Sequence, residues 1–269
     1  MSQHAQSTTN GSSAGRRWWW AALDVAISAG VILAAWSLFL AVFDVDHFVG
    51  RTPADVWDYL VGAPDAAAHR SDLATAAGIT LRDALVGLVC GMAIAVLVAA
   101  ACQLRPVLDG AVTPLAVAVQ AVPLVALTPL IAVTFGRGLL TTTIVTGIVA
   151  FFPTLVNVNL GLRSTPRAAL DVLAAAGASR TTTLRLARLP ATVPALTTSL
   201  RIAAPLSLVG ALLAEWLVTD EGLGHVMLTS SVTFEFDQLW AAAAVATLIA
   251  LILYAVSTTI DAWARRRYG

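Results

Sequence analysis

Apolar residues run along this chain in blocks of about 20, much longer than the short apolar runs of buried strands. The blocks lie near 22–43, 84–104, 111–135, 140–162, 195–217 and 239–260. Each can cross the roughly 30 Å hydrocarbon core of a bilayer as a helix. The pattern therefore predicts an all-α polytopic membrane protein with six transmembrane helices. Between the fourth and fifth blocks the pattern breaks, and residues 163–190 carry Arg163, Arg167, Arg180, Arg185 and Arg188. An arginine at the bilayer centre costs about 2.5–3.5 kcal/mol even on the lenient insertion scale, so this insert is expected outside the membrane.

Local signals give the insert a shape. Ser164-Thr165-Pro166 reads as a hydroxyl cap with proline at the first helical position. A helix of about 11 residues follows, carrying Asp171 and Ala174 and closed by Gly177 as a left-handed cap. That length is too short for a span. Ser179 is placed to cap a second short helix through Leu184 and Arg188, which Leu189-Pro190 should break. The prediction is a compact knob of two short helices, with the chain re-entering the membrane after proline.

The remaining connections are simpler. Residues 44–71 contain Pro53, Pro64 and several acidic side chains, and read as an external loop, the largest outside element, with a short surface helix near 54–60. The chain merely turns between Arg105 and Gly110, and Gly136-Arg137-Gly138 is a tight turn. Residues 1–17 are rich in Ser, Thr, Gln and Gly and read as a disordered tail. Arg16, Arg17 and Trp18-Trp19-Trp20 ahead of an apolar run imitate a signal peptide. The run to Phe43 is too long for that, and no small-residue cleavage site follows, so a retained first span is expected. Residues 18–260 then form one membrane domain, and 261–269 a basic tail.

Loop arginines set the orientation. With the N-terminus inside, Arg16, Arg17, Arg105, the arginines of the insert and Arg265, Arg266 and Arg267 are cytoplasmic, leaving Arg51, Arg70, Arg82 and Arg137 outside. This excess obeys the positive-inside rule and puts both termini in the cytoplasm.

Composition adds one exclusion. The chain is 58% hydrophobic and 12% charged, with zero formal net charge and no lysine. A phosphate-binding loop of the G-x-x-x-x-G-K-[ST] type needs its lysine on the nucleotide phosphates. Any ATP used must therefore be hydrolysed by a partner. Cys90 and Cys102 are about 18 Å apart along a helix, too far for a disulfide, and read as packing residues. His4, His47, His69 and His225 show no metal-ligand spacing, so no metal site is expected.

Polar and helix-breaking residues inside the spans are the candidates for a translocation path. Pro114, Pro123, Pro129, Pro153 and Pro205 each remove a backbone hydrogen bond, which is tolerated beside neighbouring helices or a water-filled cavity. Proline is also simply commoner in membrane helices than in soluble ones. Asn157 and Asn159 either line a polar path or bond a neighbouring helix. The fifth span carries Arg201 and Glu215 with Ser207 and small residues between them. Intramembrane charges are functional candidates, yet Glu215 adjoins Trp216 at the expected interface, and a long arginine can snorkel.

These residues resemble the permease subunits of bacterial ABC importers. Their coupling loop reads Glu-Ala-Ala, three residues, Gly, nine residues, Ile, one residue, Leu-Pro; this chain has Asp171-Val172-Leu173, Gly177, Ala187 and Leu189-Pro190 at those spacings. Asp171 replaces the glutamate, Leu173 the second alanine and Ala187 the isoleucine. Val122-Pro123 through Pro129, Phe151-Phe152-Pro153 with Asn157, Gly177-Ala178-Ser179, Leu189-Pro190-Ala191 and Glu221-Gly222-Leu223-Gly224 resemble the alkanesulfonate, taurine and nitrate branch. The resemblance implies the type I importer fold and a homodimer in the bacterial plasma membrane. It also implies two cytoplasmic ATPases that use ATP and magnesium at the 163–190 knob, and an external solute-binding protein. This chain itself would catalyse nothing and bind no cofactor or nucleic acid. The implied solute is a small anion such as a sulfonate or nitrate, with vitamin precursors, aromatic acids and quaternary amines as alternatives. Gly222, Leu223 and Gly224 would serve the outer gate or the docking of the binding protein. A carrier driven by an ion gradient would need ionisable groups near the midplane. Only Arg201 comes near that position.

Overall fold

The computed structural model describes residues 11–268, in which helices are the only regular elements. In order these are α1 (Gly11–Val42), α2 (Pro53–Trp57), α3 (Ala66–Leu104), α4 (Pro106–Gln120), α5 (Leu124–Phe135) and α6 (Leu139–Arg163). Then come α7 (Arg167–Ala175), α8 (Arg180–Thr183), α9 (Leu189–Ala191), α10 (Val193–Val218), α11 (Leu223–Thr233) and α12 (Phe236–Tyr268). Helices α3, α6, α10 and α12 are each long and apolar enough to cross a membrane. They form the body of the molecule, α6 packing between α3 and α10, and α10 also against α12.

Small residues set how closely these helices approach. Gly87 and Gly91 of α3 lie against Thr146 and Gly147 of α6, so that a β-carbon at Gly91 would meet the Gly147 carbonyl oxygen. Gly210 of α10 faces Thr146 from the other side. With little hydrophobic drive between helices in lipid, such contacts give the dispersion energy that holds a bundle together. The buried Thr154 hydroxyl donates to the Ala150 carbonyl of its own helix at 2.7 Å, which satisfies the donor where no water can.

Several expected boundaries move. The span predicted at 84–104 is the second half of α3, which begins at Ala66, so part of the expected 44–71 loop is helical. The block at 111–135 is not one helix: α4 ends at Gln120 and α5 starts at Leu124, with Pro123 as its extended N-cap. Proline disfavours a helical conformation in the residue before it, and here the helix does end. Pro114, Pro129, Pro153 and Pro205 lie inside helices that continue through them. Residues 11–17 open α1, and the rest of the expected tail lies outside the described residues. Residues 261–268 are the last turns of α12, with Arg265, Arg266 and Arg267 favourably placed at its C-terminal end.

The short surface helix expected near 54–60 is present as α2, extended by a π turn over Asp58–Gly62. Thr52 and Asp55 form a reciprocal capping box, with the Thr52 N–H donating to Asp55 Oδ2 at 2.7 Å. Burial alone would raise the Asp55 carboxyl. Hydrogen bonds from Thr52 and the nearby His47 and Arg51 outweigh it and hold the group below the usual carboxylate range. Arg51 donates to Asp237 of α12 at 3.1 Å, and Trp36 of α1 stacks on Trp240 of α12 at 5.2 Å. The loop is thereby tied to the body.

Candidate functional site

At one end of the bundle, residues 163–192 build the knob. Ser164 and Thr165 do not cap the helix that follows. Their hydroxyls donate backward to the Gly161 and Leu162 carbonyls at 2.8 and 3.2 Å, closing the end of α6. Pro166 is itself the N-cap of α7, without a side-chain bond. The other end of α7 follows expectation. Gly177 has φ +70°, its N–H donates to the Ala174 carbonyl at 3.0 Å, and the Ala178 N–H donates to the Leu173 carbonyl at 2.9 Å. This pair of bonds is a complete Schellman closure. Ser179 then caps α8 by accepting from the Thr182 N–H at 3.1 Å.

Leu189-Pro190 does not break the chain's helical course. A π turn over Leu184–Arg188 precedes it, and the Leu189 N–H donates to the Leu184 carbonyl, five residues back. The helical path runs on through α9 to Thr192 and α10. Proline without its N–H is accommodated because the wider turn has already shifted the bonding register. Leu184 is buried and Leu189 partly so, in a cluster with Ala99 of α3 and Leu155, Val158 and Leu162 of α6. The knob is therefore anchored by the π turn and the start of α9. Helix α7 has no buried residue, and Asp171, Ala174, Gly177 and Ser179 are exposed. The seven predicted knob residues thus form one continuous structural unit with a rigid base and a free helix.

At the opposite end, Glu215 is fully buried beneath the start of α11 rather than solvated beside Trp216, in a structural setting. Its Oε2 accepts from Thr80 Oγ1 at 2.8 Å and from the Gly224 N–H at 2.9 Å. Thr80 Oγ1 in turn accepts from the Leu223 N–H at 2.8 Å. A carboxylate at the first amides of a helix is favoured by the unpaired N–H groups and by the dipole. Gly222 has φ +92°, and a β-carbon there would strike the Glu215 carboxylate; one at Gly224 would strike the Leu212 carbonyl oxygen. The node thus joins Glu215 of α10, Thr80 of α3 and Gly222, Leu223 and Gly224 at the start of α11. Thr80 was missed from sequence because it precedes the predicted second span. It comes one turn after Ala76, on the buried face of α3.

The other path candidates disperse. Arg201 lies 3.7 Å from Asp261 of α12. Asp261 is buried and also accepts from Thr197 at 2.9 Å and Arg265 at 3.0 Å. Ser207 is buried and donates to the Ala204 carbonyl of its own helix at 2.7 Å. Pro123 and Pro129 are exposed, and Asn157 is half-buried in α6. Asp261 escaped the sequence reading because it was assigned to a basic tail; its spacing of four from Arg265 is the signal that marks it.

An exposed helical knob lies at one end, a glycine-flanked node at the other, and membrane-length helices run between them. The model for the family of binding-protein-dependent transport system inner membrane components matches residues 79–269. The chain belongs to this family. It is thus a type I ABC transporter permease, a membrane-integral transport subunit whose family works with ATPase and binding-protein partners. A probable ABC transporter permease protein of Haemophilus influenzae is 29% identical over 84% of this permease and 89% of its own length. The formylaminopyrimidine transport permease protein of Halalkalibacterium halodurans is 31% identical over 53% of this permease and 57% of its own length. The riboflavin transport system permease protein of Chloroflexus aurantiacus is 32% identical over 53% of each chain.

Proposed function

We propose that this permease forms half of a homodimeric path in the bacterial plasma membrane, with both termini and the 163–190 knob on the cytoplasmic side. Two ATPase subunits grip the knobs and use ATP and magnesium; an external binding protein delivers solute at the Glu215 end. The observation that carries this reading is α7, a short helix with no buried residue, stiffened at one end by the Gly177 closure. A helix that buries none of its residues needs a partner to justify its order, and the arginine excess at that end favours the cytoplasm. Closure of the ATPases would push on α7, and the anchored Leu184 and Leu189 would pass that movement to α3 and α6. The chain's contribution is then a two-state fold biased from both sides of the membrane.

For the solute we favour a heteroaromatic vitamin precursor over a sulfonate or nitrate. Two relatives are named for transport of a formylaminopyrimidine and of riboflavin. Arg201, the one arginine of the fifth span and the side chain there that would suit an anion, instead lies 3.7 Å from the Asp261 carboxylate. The test is a ligand screen of the binding protein encoded beside this chain, followed by uptake in cells lacking the permease. Saturable uptake of a pyrimidine or flavin, outcompeted by neither sulfonate nor nitrate, is the expected result. Uptake of a sulfonate or nitrate alone would refute the preference while leaving the permease role intact.

A further inference from the structure

Where the knob meets the ends of α3 and α6 there is a cavity of about 470 Å³ lined by Arg163, Arg180 and Arg188. Cys102, Gln103 and Ala178 also line it, and no carboxylate does among the described residues. Arg180 donates to the Leu104 carbonyl at 3.5 Å, and Arg188 donates to Gln103 Oε1. Both acceptors are uncharged. A guanidinium has five N–H donors in a planar fork, so these contacts leave donors on Arg180 and Arg188 for an oxyanion in the cavity.

The cavity's level in the membrane narrows the choice of anion. Leu104 and Arg163 are the last residues of two membrane-length helices, which puts the arginines at the depth of lipid headgroups. A second cavity of about 440 Å³ lies on the same helix pair, walled by Ile94, Val112, Leu115, Ile148 and Phe151 and nearly free of polar surface. Ile94 is about two turns, or roughly 12 Å, deeper along α3 than Cys102. Basic cavity above and apolar groove below match a phosphate and an acyl chain of one molecule.

We infer that this permease holds an anionic phospholipid, its phosphate on Arg180 and Arg188 beside Arg163, its chain in the groove between α3, α4 and α6. A lipid seated there touches both the span ends and Ala178 next to the Gly177 closure, and so braces the knob against the bundle. This inference is independent of the solute and of which ATPase binds.

The test uses the full-length chain, purified in detergent and stripped of lipid, with phosphatidylglycerol, phosphatidylcholine or inorganic phosphate added back. Phosphatidylglycerol is expected to raise the unfolding midpoint by several degrees, with phosphatidylcholine and inorganic phosphate giving no comparable rise. In Arg180→Gln/Arg188→Gln the rise is lost, and lipid retained in native mass spectrometry falls about tenfold, the scale of a lost charge-assisted contact. Arg185→Gln, an exposed arginine outside the cavity, keeps the wild-type response. Should the double variant fail to fold, Arg180→Ala alone, which gives up only the long contact to Leu104, is expected to retain lipid several-fold less well. An equal response to both lipids, a response to inorganic phosphate alone, or full retention by the variants would overturn the assignment.

Discussion

Thr80 Oγ1 and Glu215 Oε2 are 2.8 Å apart, joining α3 and α10 across 135 residues of sequence. The bond matters because both partners also hold α11: Glu215 takes the Gly224 N–H and Thr80 takes the Leu223 N–H. Thr80→Val keeps the shape but removes one donor and one acceptor from a fully buried site. Leaving such groups unsatisfied costs about 1–3 kcal/mol each. The variant is expected to unfold several degrees earlier in detergent, with amides of 223–226 exchanging faster than those of α6. Unchanged exchange there would show that the node does not hold α11.

Gly177→Leu tests the knob. A β-carbon at this position would meet nothing within 4 Å, so the cost is the left-handed backbone alone, φ +70°. That is about 1–2 kcal/mol, enough to loosen α7 without blocking insertion. The expected outcome is normal membrane yield with reduced coupling of ATP hydrolysis to uptake. Gly177→Asn, which tolerates this conformation, should restore most of it. Wild-type coupling in the leucine variant would remove the closure from the mechanism.

Gly91→Val puts bulk where α3 meets the Gly147 backbone of α6. Overpacking of this kind costs about 1–3 kcal/mol and here forces two spans apart. A lower unfolding midpoint is expected, partly recovered by Gly91→Ala. A valine variant as stable as the wild type would mean that the helices do not meet at this point.

The Asp55 cap gives a pH dependence. The folded pKa lies below the usual value, so its stabilisation is present above about pH 4 and is lost as pH falls through the folded pKa. Amides of 53–62 in Asp55→Asn should exchange faster than wild type at about pH 7, after correction for intrinsic rates, with the difference closing as pH falls through the folded pKa. Equal protection at neutral pH would argue against the cap.

Much of this was legible in the sequence. Block length marked α3, α6, α10 and α12, four of the six expected spans, and the arginines set the knob outside them, because bilayer thickness and charge cost leave few alternatives. Gly177 and Ser179 were readable as caps because each acts on its immediate neighbours. What escaped depended on distant partners. The role of Glu215 is defined by Thr80 and the start of α11, and that of Arg201 by Asp261, pairings that only tertiary packing creates. The break at Pro123 escaped because Pro114, Pro129, Pro153 and Pro205 carry the same local signal and sit inside continuous helices. The passage through Leu189-Pro190 depends on a π turn that no residue there announces.

The most direct test of the central claim is uptake into proteoliposomes carrying the permease with its ATPase and binding protein, comparing the wild-type chain with Asp171→Arg. Asp171 is exposed on α7, so the substitution leaves the fold intact and reverses the charge offered to the ATPase. The account predicts uptake that needs ATP on the knob side, proceeds without any ion gradient, and falls at least tenfold in the variant while binding-protein association is kept. Uptake driven by an ion gradient without ATP, or undiminished in Asp171→Arg, would contradict it.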